Sequence, residues 1–97
     1  MRKQPESNGM CKVTFKLPPE VAATEAHVCG EFNDWSQTAT PLVRGDDGTF
    51  TVTVSLDAGK QYRFRYLLDN QRWENDWAAD DYVPNDFGGQ DSVIRVP

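Results

Sequence analysis

The sequence predicts an all-β protein, an antiparallel β-sandwich of about seven strands. Three observations carry this. Apolar and polar residues alternate with period two along several stretches, and no helical period survives. Turn-forming clusters of Gly, Pro, Asn and Asp recur every roughly 6–12 residues. The chain has 97 residues, enough for one domain and one modest core. An open barrel of similar strand count is the alternative architecture.

Each element has its own signal. Residues 1–10, with Pro5, Ser7, Asn8 and Gly9, read as a disordered polar lead-in to a sandwich over 11–97. The first strand is 11–17, with Cys11, Val13, Phe15 and Leu17 on one face; Pro18-Pro19 ends it, because proline has no donor for a ladder. Residues 19–25 are a loop or a single turn. A second strand spans 26–32, Asn33-Asp34 turn the chain, and a short third strand runs from Pro41 to Arg44. "GDDG" at 45–48 is a hairpin turn. "TFTVTVSL" at 49–56 alternates most cleanly, with Phe50, Val52, Val54 and Leu56 pointing in. After "DAGK", "QYRFRYLL" at 61–68 points Tyr62, Phe64, Tyr66 and Leu68 in and Arg63, Arg65 and Leu67 out. "DNQR" turns the chain towards a short segment that begins at Trp73. Residues 75–90 read as a long polar loop, and 91–96 as the last strand.

Charge and composition narrow the function. The net charge is −5 and the pI about 4.6. A nucleic-acid binder needs a basic face to displace counterions, and an anionic membrane surface asks the same. Neither partner is expected. A neutral, hydroxyl-rich partner is not repelled. No apolar run nears the ~18–20 residues of a membrane span. The N-terminus lacks the apolar region of a signal peptide, which gives the expectation of a cytoplasmic protein.

Cys11 shares a face with Val13 and Phe15, whereas Cys29 lies opposite Val28 and Phe32. If both apolar sets face one core, the thiols point apart and a disulfide is not expected. His27 and Cys29 fall short of the about four ligands of a structural zinc, so no metal or other cofactor is expected. A glycosidase needs two carboxylates across a cleft; the acids of the 75–90 region imply no cleft, and no catalytic residue is assigned.

The three tryptophans remain. An aromatic plane packs against the C–H face of a sugar ring, and the surrounding hydroxyls need donors and acceptors beside it. Trp35 at a turn, Arg65 on an outward strand face and Trp73 at the start of the next segment fit that need. The residues leave both readings open for Trp35 and Trp73, stacking platform or plug at the core edge. For Trp77 the plug is the expectation.

Taken in order, "HVCGEFNDW", "GDDGTFTVTVSLDAGKQYRFRYLLD", "RW" and "VPNDFGGQDSVIRV" resemble the family 48 carbohydrate-binding modules, the isoamylase-like early set domains. These occur in glycogen- and starch-branching and debranching enzymes and in the β subunit of AMP-activated protein kinase. The resemblance covers residues 11–96 and implies an immunoglobulin-like sandwich that binds an α-glucan without catalysis. It implies Trp35 and Trp73 as stacking platforms, with Arg65 in the place of a sugar-contacting lysine. Phe87 stands for the apolar residue before the last glycine-containing turn, and Asp91 for an asparagine before the final strand. The polar rim departs from the family's pattern: Arg for Lys, Asp for Asn, and Gly89 for a hydroxyl residue. Many enzyme-attached members serve packing rather than binding, so a protein-interaction module that keeps the fold without sugar is the alternative. The expected partners are an α-1,4-glucan and glycogen-metabolising enzymes.

Overall fold

A computed structural model describes residues 2–97. Among the described residues nine strands run in chain order: β1 (Arg2–Pro5), β2 (Met10–Leu17), β3 (Ala26–Gly30), β4 (Val43–Arg44), β5 (Phe50–Asp57), β6 (Gln61–Leu68), β7 (Arg72–Glu74), β8 (Asp81–Pro84) and β9 (Gln90–Arg95). One sheet has the order β1-β2-β5-β4 and the other β3-β6-β9-β8, with β7 also on β6. All pairings are antiparallel, so the fold is the β-sandwich that alternation predicts. Among the described residues no helix is long and apolar enough to cross a membrane.

The inward sets of both sheets make one core. Cys11, Val13, Phe15 and Leu17 of β2 meet Val28, Phe64, Tyr66, Leu68 and Ile94 of the second sheet. Phe15 sits at its centre, edge-on to Phe64 at 5.1 Å and to Tyr66 at 6.5 Å. Edge-to-face contacts of this kind add about 0.5–1.5 kcal/mol each beyond area. Cys11 faces that core and Cys29 does not; both are free and buried.

Two segments read as loop are strand. Arg2–Pro5 is not a disordered lead-in: it pairs with Cys11–Thr14 through a turn in which Glu6 N–H donates to the Met10 carbonyl at 2.9 Å. Lys3 also forms an ion pair with Asp80. The edge strand is held by its ladder rather than by an apolar face, so composition could not show it. Met1 lies outside the described residues. Asp81–Pro84 pairs with Gln90–Val93 inside the region read as a long loop. It too is an edge strand, mostly exposed.

Candidate functional site

The outer face of the second sheet carries the site, and local sequence explains each part. Trp35 is placed by the six residues 30–35. Gly30 leaves no room for a side chain: a Cβ there would meet the Arg63 carbonyl at 2.6 Å and Phe64 Cβ at 2.8 Å. Glu31 Oε1 accepts the Arg63 N–H at 2.6 Å. Phe32 turns inward and stacks on Phe15 at 5.4 Å. Asn33 ties the loop together, accepting the Gly30 N–H and donating to the Val28 carbonyl and Thr40 Oγ1, each at 3.0 Å. Asp34 and Trp35 then take left-handed backbone with φ of 56° and 57°. That conformation is rare for a bulky residue. Here the Trp35 N–H holds it by donating to the Gly30 carbonyl at 2.8 Å.

Arg65 and Trp73 are placed by strand pairing. On one side β6 pairs with β3 throughout 64–68. On the other it pairs with β9 through Gln61–Phe64 and with β7 through Tyr66–Leu68. Arg65 falls at the gap between those two partners. Asp69 and Asn70, both with positive φ, are the central residues of the turn closed by the Gln71 N–H on the Leu68 carbonyl at 3.1 Å, in the three-residue connection to β7. Positive φ at both gives the twist a tight hairpin favours. Asp69 Oδ1 also accepts the N–H groups of Thr24 and Glu25. Those backbone N–H groups hold its carboxyl below the ordinary carboxylate value. Trp73 then lies opposite Leu67, on the outward face, and is 39% exposed. The Arg65 guanidinium lies 6.0 Å from the Trp73 ring centroid, within cation–π range. Its Nε is buried without a hydrogen-bond partner.

The β8–β9 hairpin supplies the remaining wall. Asn85 Oδ1 accepts the N–H groups of Phe87 (3.0 Å) and Gly89 (3.1 Å). Asn85 Nδ2 donates to Asp91 Oδ1 at 3.1 Å. Gly88, with φ of 84°, closes the loop. Phe87 projects from its tip, 95% exposed. Asp91 is buried, with its other oxygen 4.0 Å from the Arg63 guanidinium.

These parts border an open cleft of about 510 Å³ lined by Trp35, Arg65, Trp73, Asn85, Phe87 and Asp91. The five residues singled out from the sequence thus share one cleft. Asn85 is the member that sequence reading missed. Its signal was there, since Asn shortly before a glycine marks an Asx turn. Chemically the cleft offers three aromatic faces, one guanidinium and one carboxylate. Among its lining residues Asp91 is the sole acid.

A buried network stiffens this wall from behind. Tyr66 Oη donates to Asp76 Oδ2 at 2.7 Å, and the Asp76 N–H donates to Ser92 Oγ at 2.9 Å. Ser92 Oγ donates to Asn75 Oδ1 at 2.8 Å, and Asn75 Nδ2 to the Gln90 carbonyl at 2.8 Å. Burial, reinforced by the Asp76 carboxylate, pushes the Tyr66 hydroxyl well above its ordinary value.

Trp77 corrects an expectation. It is not a plug at the core edge but is 60% exposed. Asp76 next to it is the buried residue, so the turn directs the indole outward.

Among curated proteins, none matches the chain. A protein-family profile, carbohydrate-binding module 48 (isoamylase N-terminal domain), matches residues 5–83. That stretch contains Trp35, Arg65 and Trp73 and stops short of Phe87 and Asp91, which the β8–β9 hairpin folds back beside them. With the matched stretch spanning most of its length and a sandwich presenting this cleft, the chain belongs to the carbohydrate-binding module 48 family.

Proposed function

We propose that the protein is a non-catalytic module for α-1,4-glucans such as glycogen or starch, binding them weakly by stacking on Trp35 and Trp73. The observation that carries the reading is the shared cleft: two indoles, a guanidinium and an exposed Phe87 around about 510 Å³. Arg65 donates to sugar hydroxyls while resting on Trp73, and Asp91 accepts from them. Two platforms and a few exposed hydrogen bonds give roughly 4–6 kcal/mol, a Kd of about millimolar to tens of micromolar. A polymer offering many sites raises retention above that figure. The module works in the cytoplasm alongside glycogen-metabolising enzymes; the low pI and two unpaired buried thiols suit that setting.

The test is an NMR titration of the indole N–H signals with maltoheptaose, with cellohexaose as control. Saturable shifts at Trp35 and Trp73 with the α-glucan alone are expected. Replacing either tryptophan by Ala weakens binding by about tenfold. No shift at about 10 mM maltoheptaose would leave the cleft to a protein partner, the alternative reading.

A further inference from the structure

Trp77 lies outside the cleft. It lines a second, shallower groove of about 230 Å³ with Lys16, Leu17, Pro18, Asp76 and Ala78. The groove lies where the end of β2 meets the turn that follows β7.

We propose that this groove is a second sugar platform, in which Trp77 stacks on one pyranose ring and Lys16 donates to its hydroxyls. Four observations lead there. First, the indole is 60% exposed and is carried on a closed backbone turn. Asp76 Oδ1 accepts the Ala78 N–H at 2.8 Å, which closes the turn around Trp77. The Asp76 carbonyl accepts the Tyr82 hydroxyl as well. A platform carried on a closed turn loses little backbone freedom on binding. Second, both Asp76 oxygens are already engaged, by Tyr66 and Ala78. The lining side chain still able to donate is Lys16, which forms no ion pair among the described residues, although its charge also acts on the Asp47 carboxylate. A donor beside an aromatic plane suits a neutral polyol. Third, the groove is small and Trp77 is its one large exposed apolar residue. A stable protein interface buries about 800 Å² per partner around an apolar centre; one indole in a ring-sized groove does not supply that. Fourth, Trp73 and Trp77 are joined by three residues. Their Cα atoms are therefore within about 14 Å of each other, close enough for separate parts of one polysaccharide to engage both.

The ligand class rests on the glucan reading of the main cleft, but the groove itself does not. Indole titration of the intact protein with maltotriose, a short ligand, separates the two. Trp77 is expected to shift with its own saturation curve, unchanged in the W35A/W73A double variant. W77A is expected to leave maltoheptaose shifts at Trp35 and Trp73 unaltered and to weaken retention on glycogen by about two- to tenfold. Movement of Trp35 and Trp73 without Trp77 would overturn this inference and leave the main cleft standing. Movement of Trp77 alone would do the reverse, and no movement at all would sink both.

Discussion

The two sheets of this sandwich have equivalent inner faces and opposite outer faces. Outside the first sheet, Lys12, Thr14 and Lys16 of β2 lie across from Ser55, Thr53 and Thr51 of β5. Small hydroxyls meet there, as between Thr14 and Thr53 at 3.0 Å, and the face is wet. Outside the second sheet, Cys29, Leu67 and Val93 are buried although they point away from the core, and Arg65 and Trp73 stand among them. Both faces obey the same alternation. The lesson is that period two says which side a residue takes, whereas the character of the outward set says whether that side is polar and solvated or apolar and largely buried.

Gly30→Ala should break the comparison most severely. A Cβ at 2.6 Å from the Arg63 carbonyl forces β3 and β6 apart where Trp35 and Arg65 are set. Overpacking of this kind costs roughly 1–3 kcal/mol. Thermal unfolding should show that loss, and the Trp35 indole signal should move even without ligand.

Tyr66→Phe tests the network behind the site. It leaves a buried Asp76 oxygen without its donor, costing about 1–3 kcal/mol at neutral pH by urea denaturation. The same phenol sets an alkaline limit. Its folded pKa is raised, so its contribution is whole below the unfolded value of about 10 and is lost as pH rises above it. Wild-type stability should fall in that window, and Y66F should lack this component.

Asn85→Ala sharpens the comparison at the hairpin. It removes the acceptor for the Phe87 and Gly89 N–H groups and the donor to Asp91. The loop is exposed, so stability should drop by only about 1 kcal/mol. Glucan affinity should fall several-fold more than that loss suggests, because Phe87 and Asp91 both lose their placement; calorimetry of both quantities checks it. On the opposite face, Thr53→Ala should change stability by no more than about 0.5 kcal/mol and leave maltoheptaose binding unchanged, which a parallel titration would reveal.

How much was legible follows from these residues. Strands β2, β5 and β6 were plain because their inward sets are apolar without interruption. Arg2–Pro5 and Asp81–Pro84 were not, because edge strands are held by backbone pairing that leaves little mark on composition. The cleft's five residues were singled out from local turn and strand signals together with the family resemblance. Asn85 was missed because its role is to hold backbone N–H groups, and only the closed hairpin shows which ones. Trp77 was misjudged because sequence records that an indole is large, not whether it or its neighbour Asp76 takes the buried place.

By itself the sequence determined the sandwich class, the inward and outward sets of the long strands and the separation of the two thiols. Each follows from a local rule of alternation or turn geometry. Only the tertiary structure decided that Arg65 sits at the gap between β9 and β7, that the β8–β9 hairpin closes the cleft around Phe87 and Asp91, and that Trp77 faces water. Those outcomes depend on which distant strands meet β6, and a pairing register between remote segments is a property of the whole fold rather than of any one stretch.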